Sequence, residues 1–491
     1  MENGACNNGS CNGNGVAARP HVAMLVTPGM GHLIPLAELA KRLARARHGG
    51  VTSTLITFAS TASPTQREFL ASLPSAIESV SLPPVDLSDL PSDAAIETRM
   101  SEECARSTPS LTALLSRLAT TRRLVAFVAD LFGADAFDAA RDAGVARRCL
   151  FFPTNLHALT LLLHLPDLDA TIPGEFRDLA EPVALPGCVP IPGKDILAPL
   201  QDKSKACYRW MVHHGEKYCD AETILVNSFD AVEPDAAAAL RHPKPGRPPV
   251  FPIGPLIQTH EEDASVTTMP PSPRAACMDW LDRQPEKSVV FVSFGSGGAL
   301  PTEHMRELAL GLEMSGQRFL WVVRSPSDED GEVNANYYDA ETKKNPFGYL
   351  PEGFVERTKE VGLLVPSWAP QTKVLAHKAT GGFLTHCGWN SVLESLVHGV
   401  PMVAWPLYAE QRQNAVMLTE GVGAAIRVPE AKGKEKIAVV VREVMVGEGR
   451  GAAVRDKVAE LQKKALAGLR DGGAATSALD EVVAKWIGEE K

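Results

Sequence analysis

The apolar residues of the chain alternate between short runs and stretches at helical spacing, and this order occurs twice. His21–Thr27 is an apolar run that ends in a glycine turn, after which Leu33, Leu36, Ala40 and Leu43 recur every three or four residues. Ser288–Phe294 begins a second unit of the same kind, with Gly295–Gly298 as its turn. Buried strands that alternate with amphipathic helices predict parallel sheets. We therefore expect an α/β chain made of two doubly wound domains.

Changes in composition predict where these domains begin and end. Residues 1–18 contain an Asn- and Gly-rich tail without the apolar segment of a signal peptide, so we expect disorder there. The first domain is predicted over 19–255, a polar linker over 256–274 and the second domain over 275–470. Residues 471–491 carry apolar positions at helical spacing, which predicts a last helix that packs back toward the first domain.

Composition and charge narrow the class of protein. Of the 491 residues, 45% are apolar and 22% charged, which is typical of soluble globular chains, and no apolar run approaches the ~18 residues of a membrane span. The net charge of -10 lacks the basic footprint of a nucleic-acid binder. The nine cysteines show neither C-x-x-C nor regular spacing, which favours reduced thiols. We expect a cytoplasmic protein without nucleic-acid or membrane partners.

The segment with the most chemical information is Trp368–Gln411. Within it, a strand is predicted over Gly382–Thr385, followed by a turn over His386–Ser391 and a helix. Gly388 allows a ligand to approach the backbone, and Asn390 or Ser391 is expected to cap the helix. Unpaired N–H groups at a helix N-terminus, beside a histidine donor, predict a site for a diphosphate.

Other residues of this segment fit the remaining parts of one ligand. Trp368, in a turn before Pro370, offers a flat face on which a base stacks. Glu394 lies one turn into the helix, where its carboxylate can accept the hydroxyls of a ribose. Glu410 and Gln411, which follow the strand predicted over Met402–Trp405, can bind sugar hydroxyls. Base, ribose, diphosphate and hexose together indicate a nucleotide-sugar.

This 44-residue segment closely resembles the donor-binding box of plant family-1 UDP-glycosyltransferases. The resemblance extends over nearly the whole chain beyond the tail, including Thr27–His32 and Ser293–Ser296. It implies the GT-B fold, two Rossmann-like domains that face each other across a cleft, with the acceptor in the first and the UDP-sugar mainly in the second. The positions that match the family's donor residues are Ser296, Trp368, Ala369, Gln371, His386, Gly388, Trp389, Asn390, Ser391, Glu394, Tyr408, Glu410 and Gln411.

The resemblance also implies a role for most of these positions. Trp368 is expected to stack on uracil, and Gln371 and Glu394 to hold the ribose. The group expected on the diphosphate is Ser296, His386, Asn390 and Ser391; the group expected on the sugar is Trp389, Glu410 and Gln411. Glu410 stands where the family often has Asp, which keeps the carboxylate, and Gln at 411 resembles the members that use glucose.

His32 and Asp130 are the predicted catalytic pair. His32 follows the first strand and begins the next helix, whose N-terminus is expected to favour the neutral imidazole that a general base needs. Asp130 ends the strand predicted over Leu124–Ala129, so both residues lie at the carboxyl edge of one parallel sheet. Asp130 can then orient His32 and stabilise its protonated form. Helix capping is the structural alternative for Asp130, and Asp135 is a competitor predicted to lie within the helix.

The predicted reaction is a single inverting displacement. His32 removes the proton of an acceptor hydroxyl, the oxygen attacks the anomeric carbon of UDP-glucose, and UDP leaves from the opposite face. UDP-glucose is a co-substrate; neither a cofactor nor a metal is expected, because the helix terminus, His386 and serine hydroxyls stabilise the leaving group. We expect a monomer.

Acceptor binding is predicted for apolar residues near the strand ends of the first domain: Met30, Leu131, Phe132 and Leu161. The segments 161–169 and 185–195 resemble the subgroup that acts on small phenolics such as hydroquinones, monolignols and phenolic xenobiotics. Transfer to flavonoids, or to nitrogen, sulfur or carbon atoms, stays open as an alternative, and so does a non-catalytic nucleotide-sugar-binding protein.

Two further enzyme classes are disfavoured. A dinucleotide oxidoreductase needs a third glycine in G-x-G-x-x-G, where this chain has Ile34 in one half and Leu300 in the other. A serine hydrolase needs glycine two residues before its nucleophile, and Phe294 occupies that position before Ser296.

Overall fold

The computed structural model describes residues 19–45, 50–242, 244–258, 273–326 and 345–488. Over these ranges the chain forms two parallel sheets with helices packed on them, which confirms the predicted α/β fold class. The tail predicted over 1–18 lies outside the described residues, and so does 259–272 of the predicted linker. No helix in the described ranges is both long and apolar enough to cross a bilayer.

The first sheet belongs to the N-terminal half. Its strands, within the described residues, are β1 (Pro20–Leu25), β2 (Thr52–Phe58), β3 (Ile77–Leu82), β4 (Arg123–Asp130), β5 (Arg148–Phe152), β6 (Thr223–Val226) and β7 (Val250–Pro252). They are all parallel, in the spatial order β3-β2-β1-β4-β5-β6-β7. The order reverses beside β1, so β1 and β4 are neighbours, and the crevice between their carboxyl ends is where open α/β sheets bind ligands.

The second sheet is built in the same way by the C-terminal half. Its strands in the described residues are β8 (Val289–Ser293), β9 (Arg318–Val323), β10 (Gly362–Pro366), β11 (Thr380–Thr385), β12 (Met402–Ala404) and β13 (Ala425–Arg427). They too are parallel, in the order β10-β9-β8-β11-β12-β13. Central strands such as β8 are buried along their whole length, which explains their continuous apolar sequences.

Helices cover both faces of each sheet. Those of the first half are α1 (Met30–Arg45), α2 (Pro64–Ala71), α3 (Ile96–Arg106), α4 (Thr108–Thr121), α5 (Ala136–Asp142), α6 (Leu156–Thr171), α7 (Ala206–Lys217) and α8 (Pro234–Arg241). Those of the second half are α9 (Pro273–Asp282), α10 (Thr302–Ser315), α11 (Phe354–Thr358), α12 (Gln371–Ala376), α13 (Trp389–His398), α14 (Gln411–Val416), α15 (Lys434–Val446), α16 (Arg450–Gly468) and α17 (Ala474–Ile487). Their inward faces form separate apolar cores on the two sheets.

The last helix crosses from one half to the other. Leu479, Val482, Val483 and Trp486 of α17 belong to the same buried cluster as residues of β1 and α1 in the N-terminal half. The spacing that predicted this helix is therefore the spacing of its buried face. At the other junction, α9 begins at Pro273, inside the segment predicted as linker.

Two local predictions were wrong. Helix α13 begins at Trp389 and its N-cap is Gly388, not Asn390 or Ser391, because the side chains of those two residues bond elsewhere. The helix predicted directly after Asp130 is a 3-10 turn over Leu131–Gly133 followed by α5, so Asp135 precedes α5 rather than lying within it.

Candidate active site

His32 and Asp130 are in contact at the crevice of the first sheet. β1 and β4 are adjacent and in register, with Leu25 opposite Ala129, so the turn after β1 and the end of β4 meet. His32 Nδ1 lies 2.8 Å from Asp130 Oδ2, although the two residues are 98 positions apart in the sequence. The carboxylate is fully buried and the imidazole is 14% exposed. Because a carboxylate only accepts, Nδ1 is the protonated nitrogen, and Nε2 is left as the basic one.

Further donors fix the Asp130 carboxylate in place. The Thr27 hydroxyl donates to Oδ2 over 2.5 Å, and the Leu131 main-chain N–H donates to Oδ1 over 2.7 Å. Thr27 was not singled out from the sequence, although it ends the strand predicted over His21–Thr27. The capping role considered for Asp130 is thus also present, and it accompanies the contact with His32 instead of replacing it. Asp135 contacts His213 over 2.7 Å and does not reach His32.

The pKa of His32 differs from the expectation based on the helix terminus. Burial lowers it, but the charge and hydrogen bond of Asp130 and the charge of Glu410 outweigh burial, and the pKa is raised above its usual 6.5. The net pKa therefore moves in the opposite direction to the effect expected from the N-terminus of α1, because a carboxylate in direct contact acts more strongly than a helix dipole. A raised pKa makes the imidazole a better proton acceptor, but less of it is neutral at pH 7.

The charge of Glu410, from the C-terminal half, acts on both His32 and Glu97 of the N-terminal half. Burial raises the pKa of Glu410, at the start of α14, against the opposing charge of His32. Burial also raises the pKa of Glu97 in α3, and the charge of Glu410 adds to this. Glu97 was missed in the sequence because it belongs to no motif; its place in the first turn of a helix signals only a favourable helix terminus.

Trp368 and its neighbours lie at the carboxyl edge of the second sheet, in the loop after β10. The indole of Trp368, in the loop between β10 and α12, is 50% exposed, unlike most large apolar side chains of the protein. Ala369, next to it, is buried. Gln371, at the start of α12, donates over 2.8 Å to the Ser391 hydroxyl and over 2.7 Å to the Glu394 carboxylate. The two acceptors lie on α13, so these contacts hold the predicted base and ribose positions together.

His386 lies between two glycines at the end of β11. A Cβ on Gly388 would come within 2.4 Å of His386 Nε2, and one on Gly295 within 2.6 Å, so both positions need glycine. Burial, and less strongly the charge of Arg324, lowers the pKa of His386 to about 4, and the ring is neutral at physiological pH. Its Nδ1 is buried without a hydrogen-bond partner in the described residues. A neutral, partly unsatisfied imidazole beside a helix N-terminus suits an anionic ligand.

The residues at the start of α13 also join the two halves of the protein. Asn390 Nδ2 donates over 2.9 Å to the carbonyl of Gly31, the residue before His32. Trp389 is buried and its indole N–H donates over 2.6 Å to the carbonyl of Asn227. The side-chain donor of Trp389 is thus already used, and only its main chain remains for a sugar. The start of α13 is thus tied directly to the turn before His32.

Glu410 and Gln411 are positioned at the start of α14. Gln411 Oε1 accepts from the main-chain N–H groups of Leu407 and Tyr408, over 3.0 and 3.1 Å, which fixes the orientation of its amide. The Glu410 carboxylate accepts from Asn414 Nδ2 over 3.3 Å. Asn414 Oδ1 in turn accepts from Asn155 Nδ2 of the N-terminal half over 2.6 Å. Burial raises the pKa of Tyr408 to about 12, so its hydroxyl stays protonated.

The predicted acceptor residues divide into two groups. Phe132 packs against the His32 imidazole, with ring centroids 5.9 Å apart, and Met30 begins α1, two residues before His32. Leu131 is mostly buried beside Asp130. Leu161 is a correction: it lies in α6 with no exposed surface, inside the core of the N-terminal half, and so offers nothing to an acceptor. The leucine-rich run around it is core packing.

Arg324 is a further residue that the sequence analysis missed. It follows β9 and its guanidinium donates to the carbonyl of Ser296, which is itself exposed at the end of β8. Its position at a strand end was a usable signal, because the other predicted donor residues were found by the same rule. Cys387, by contrast, is fully buried with a pKa raised to about 12 by burial, which fits a structural thiol.

Known proteins share both the sequence and the fold. Residues 250–450 match the family described as UDP-glucoronosyl and UDP-glucosyl transferase. The chain is 50% identical over 477 residues to UDP-glycosyltransferase 72B3 of Arabidopsis thaliana, covering 96% of this chain and 97% of that one. It is 48% identical over 471 residues to hydroquinone glucosyltransferase of Rauvolfia serpentina, covering 95% and 98%. The structure of Phytolacca americana UGT2 with UDP-2fluoro-glucose and pterostilbene superimposes with a TM-score of 0.84, at 44% identity, over 95% of this chain and 100% of that one.

Proposed function

The chain belongs to the UDP-glycosyltransferase family of plants, and we propose that it transfers glucose from UDP-glucose to a hydroxyl group of a small phenolic acceptor. In this proposal the half over 19–255 binds the acceptor, and the half over 275–470 binds most of the donor. The observation that carries the proposal is the 2.8 Å contact between His32 and Asp130, at the turn that Asn390 joins to the donor helix.

The proposed chemistry begins with proton transfer. His32 Nε2 accepts the proton of the acceptor hydroxyl while its oxygen forms a bond to the anomeric carbon of glucose. The bond from that carbon to the diphosphate breaks, its electron pair stays with UDP, and UDP leaves from the opposite face. Asp130 stabilises the imidazolium that forms, and it holds the proton on Nδ1 so that Nε2 stays basic. An α-linked donor therefore gives a β-glucoside.

Different donor residues bind different parts of the UDP-sugar. Trp368 stacks on uracil with its exposed indole, and Glu394 accepts the ribose hydroxyls. The N-terminus of α13 and the neutral ring of His386 donate to the diphosphate, which stabilises the charge of the leaving group. Glu410 and the amide nitrogen of Gln411 bind the hydroxyls of glucose. A resident metal has no role in this scheme.

The class of acceptor is inferred from the relatives and from the residue that packs against His32. A relative with 48% identity is a hydroquinone glucosyltransferase, and pterostilbene occupies the superimposed Phytolacca structure. Phe132 is buried and packs against His32, so the surroundings of the proposed base are apolar and aromatic. Small phenols fit both observations.

The test is mass spectrometry of reactions with UDP-glucose and a panel of acceptors: hydroquinone, a monolignol, a flavonoid, an aniline and a thiophenol. We expect addition of one hexose, most rapidly to the small phenols, and loss of nearly all turnover in His32→Ala. Undiminished turnover in that variant would exclude His32 as the base. Preferred addition to the flavonoid, aniline or thiophenol would replace the phenolic proposal with those acceptor classes, and an α-glucoside by NMR would refute the single inversion.

A further inference from the structure

Arg324 lies at the same edge of the second sheet as the predicted donor residues. It directly follows β9, and β9 runs between β10 and β8 in the second sheet. The loop after β10 carries Trp368, and the loop after β8 carries Gly295 and Ser296. Since all these strands are parallel, their carboxyl ends lie along one edge, and Arg324 stands between the predicted base platform and the predicted diphosphate site.

The contacts of the guanidinium place it on the diphosphate side of this edge. One Nη donates to the carbonyl of Ser296, the predicted diphosphate ligand. Its Nε is buried and has no hydrogen-bond partner in the described part of the chain. The charge of Arg324 adds to the burial that lowers the pKa of His386, and it weakly opposes the burial that raises the pKa of Tyr408, so it acts on both side chains.

The other predicted ligands of the diphosphate are all neutral. Ser296, Asn390 and Ser391 carry no charge, and His386 has a pKa of about 4. The chain as a whole has a net charge of -10, which repels an anionic ligand at long range. A nucleoside diphosphate therefore needs a local cation, and a guanidinium presents several N–H donors with the geometry that phosphate oxygens accept.

We propose that Arg324 binds the diphosphate of the UDP-sugar and holds the UDP leaving group during transfer; this inference rests on the proposed function. As the bond from the anomeric carbon to the diphosphate oxygen breaks, the electron pair remains on that oxygen and its negative charge grows. A fixed positive charge beside it stabilises the transition state more than the bound substrate, so Arg324 contributes to kcat as well as to donor affinity.

The experiment compares Arg324→Gln and Arg324→Lys with the wild-type protein by calorimetric titration of UDP, UMP and uridine. Glutamine keeps an N–H donor for the Ser296 carbonyl but removes the charge, and lysine keeps the charge without the fork. Arg318→Gln is the matched control, because Arg318 begins the same strand β9 at its far end. Thermal unfolding of each variant shows whether it is folded before binding is measured.

We expect Arg324→Gln to weaken UDP binding about 10- to 100-fold, to weaken UMP binding less, and to change uridine binding less than twofold. Arg324→Lys should retain part of the affinity, and Arg318→Gln all of it. UDP binding to the wild type should weaken with added salt more steeply than UDP binding to Arg324→Gln. The kcat for transfer should fall in both Arg324 variants.

Three results would overturn the inference: an unchanged UDP affinity in Arg324→Gln, an equal loss for UDP and uridine, or an unchanged salt dependence. Equal losses would show that the side chain only shapes the loop at Ser296. If Arg324→Gln does not fold, the affinities of Arg324→Lys for UDP and for uridine decide in its place, with a selective loss for UDP expected. Failure of the wild type to bind UDP at all would instead refute the proposed function.

Discussion

Replacing Asp130 by asparagine changes the charge beside His32 while keeping the shape of the side chain. In the wild type, Oδ2 accepts from His32 and from Thr27, and Oδ1 accepts from the Leu131 N–H. An asparagine has only one acceptor oxygen. If its amide nitrogen faces His32, the proton on the imidazole must move to Nε2; if it faces Leu131, two N–H groups oppose each other. The first orientation blocks the base, because Nε2 then carries the proton.

The expected loss can be worked from these contacts. General base catalysis contributes about 100- to 10,000-fold, and a base held in the wrong tautomer forfeits most of it, so kcat/KM for the acceptor should fall by about that factor. The buried hydrogen bonds to a charged acceptor contribute about 1.5–3 kcal/mol each, so the free energy of unfolding should also fall. Asp135→Asn is the matched control, because it changes another Asp–His pair, which does not include His32.

The assay is the rate of glucoside formation as a function of pH, with thermal unfolding measured in parallel. The pKa of His32 is raised above 6.5, so wild-type activity should fall on its acid side through a value above 6.5, as the imidazole becomes protonated. Without the Asp130 charge, the acid limb should move to lower pH. A variant within threefold of wild type, or one whose acid limb does not move, would refute the assignment of Asp130.

Three further changes probe the donor side. Trp368→Ala should weaken UDP binding, measured by calorimetry, by about 1–3 kcal/mol, and Trp368→Phe should weaken it less. The loss of folding stability should be small, since the indole is half exposed. An unchanged UDP affinity in Trp368→Ala would contradict stacking. Gly388→Ala should displace the His386 ring and abolish tight UDP binding in the same titration, whereas Gly174→Ala, which meets open space, should not; a tight-binding Gly388→Ala would remove His386 from the site. Glu410→Gln should lower kcat/KM for UDP-glucose roughly 10- to 100-fold in steady-state assays, while the affinity for UDP stays the same. A parallel loss of UDP affinity would show that Glu410 has a structural role instead.

Much of the fold was readable because its strands are continuous apolar runs and its turns contain glycine. The strands predicted over His21–Thr27 and Gly382–Thr385 lie within one or two residues of β1 and β11. The N-cap of α13 was misjudged because residue type alone favoured Asn390, whose amide instead reaches Gly31 in the other half. A contact between halves has no local signal in the sequence.

The site residues that lie at strand ends could be predicted from the sequence, but contacts between the two halves could not. His32 and Asp130 follow strands, so topology alone predicted their proximity. The raised pKa of His32 depends partly on Glu410, which approaches from the other half, and no periodicity reveals that. Leu161 was assigned to the acceptor site because the sequence alone does not distinguish an apolar residue in the core from one in a pocket.

The hydrogen bonds between the halves determine how the enzyme can adapt to new acceptors. Breaking the buried bonds from Trp389 to Asn227 and from Asn155 to Asn414 would leave donors and acceptors unsatisfied, at about 1–3 kcal/mol for each group. These hydrogen bonds therefore fix the distance between His32 and the proposed donor residues. A bulkier alcohol has to be admitted by trimming the walls around Met30 and Phe132, since the two halves cannot swing apart cheaply to receive it.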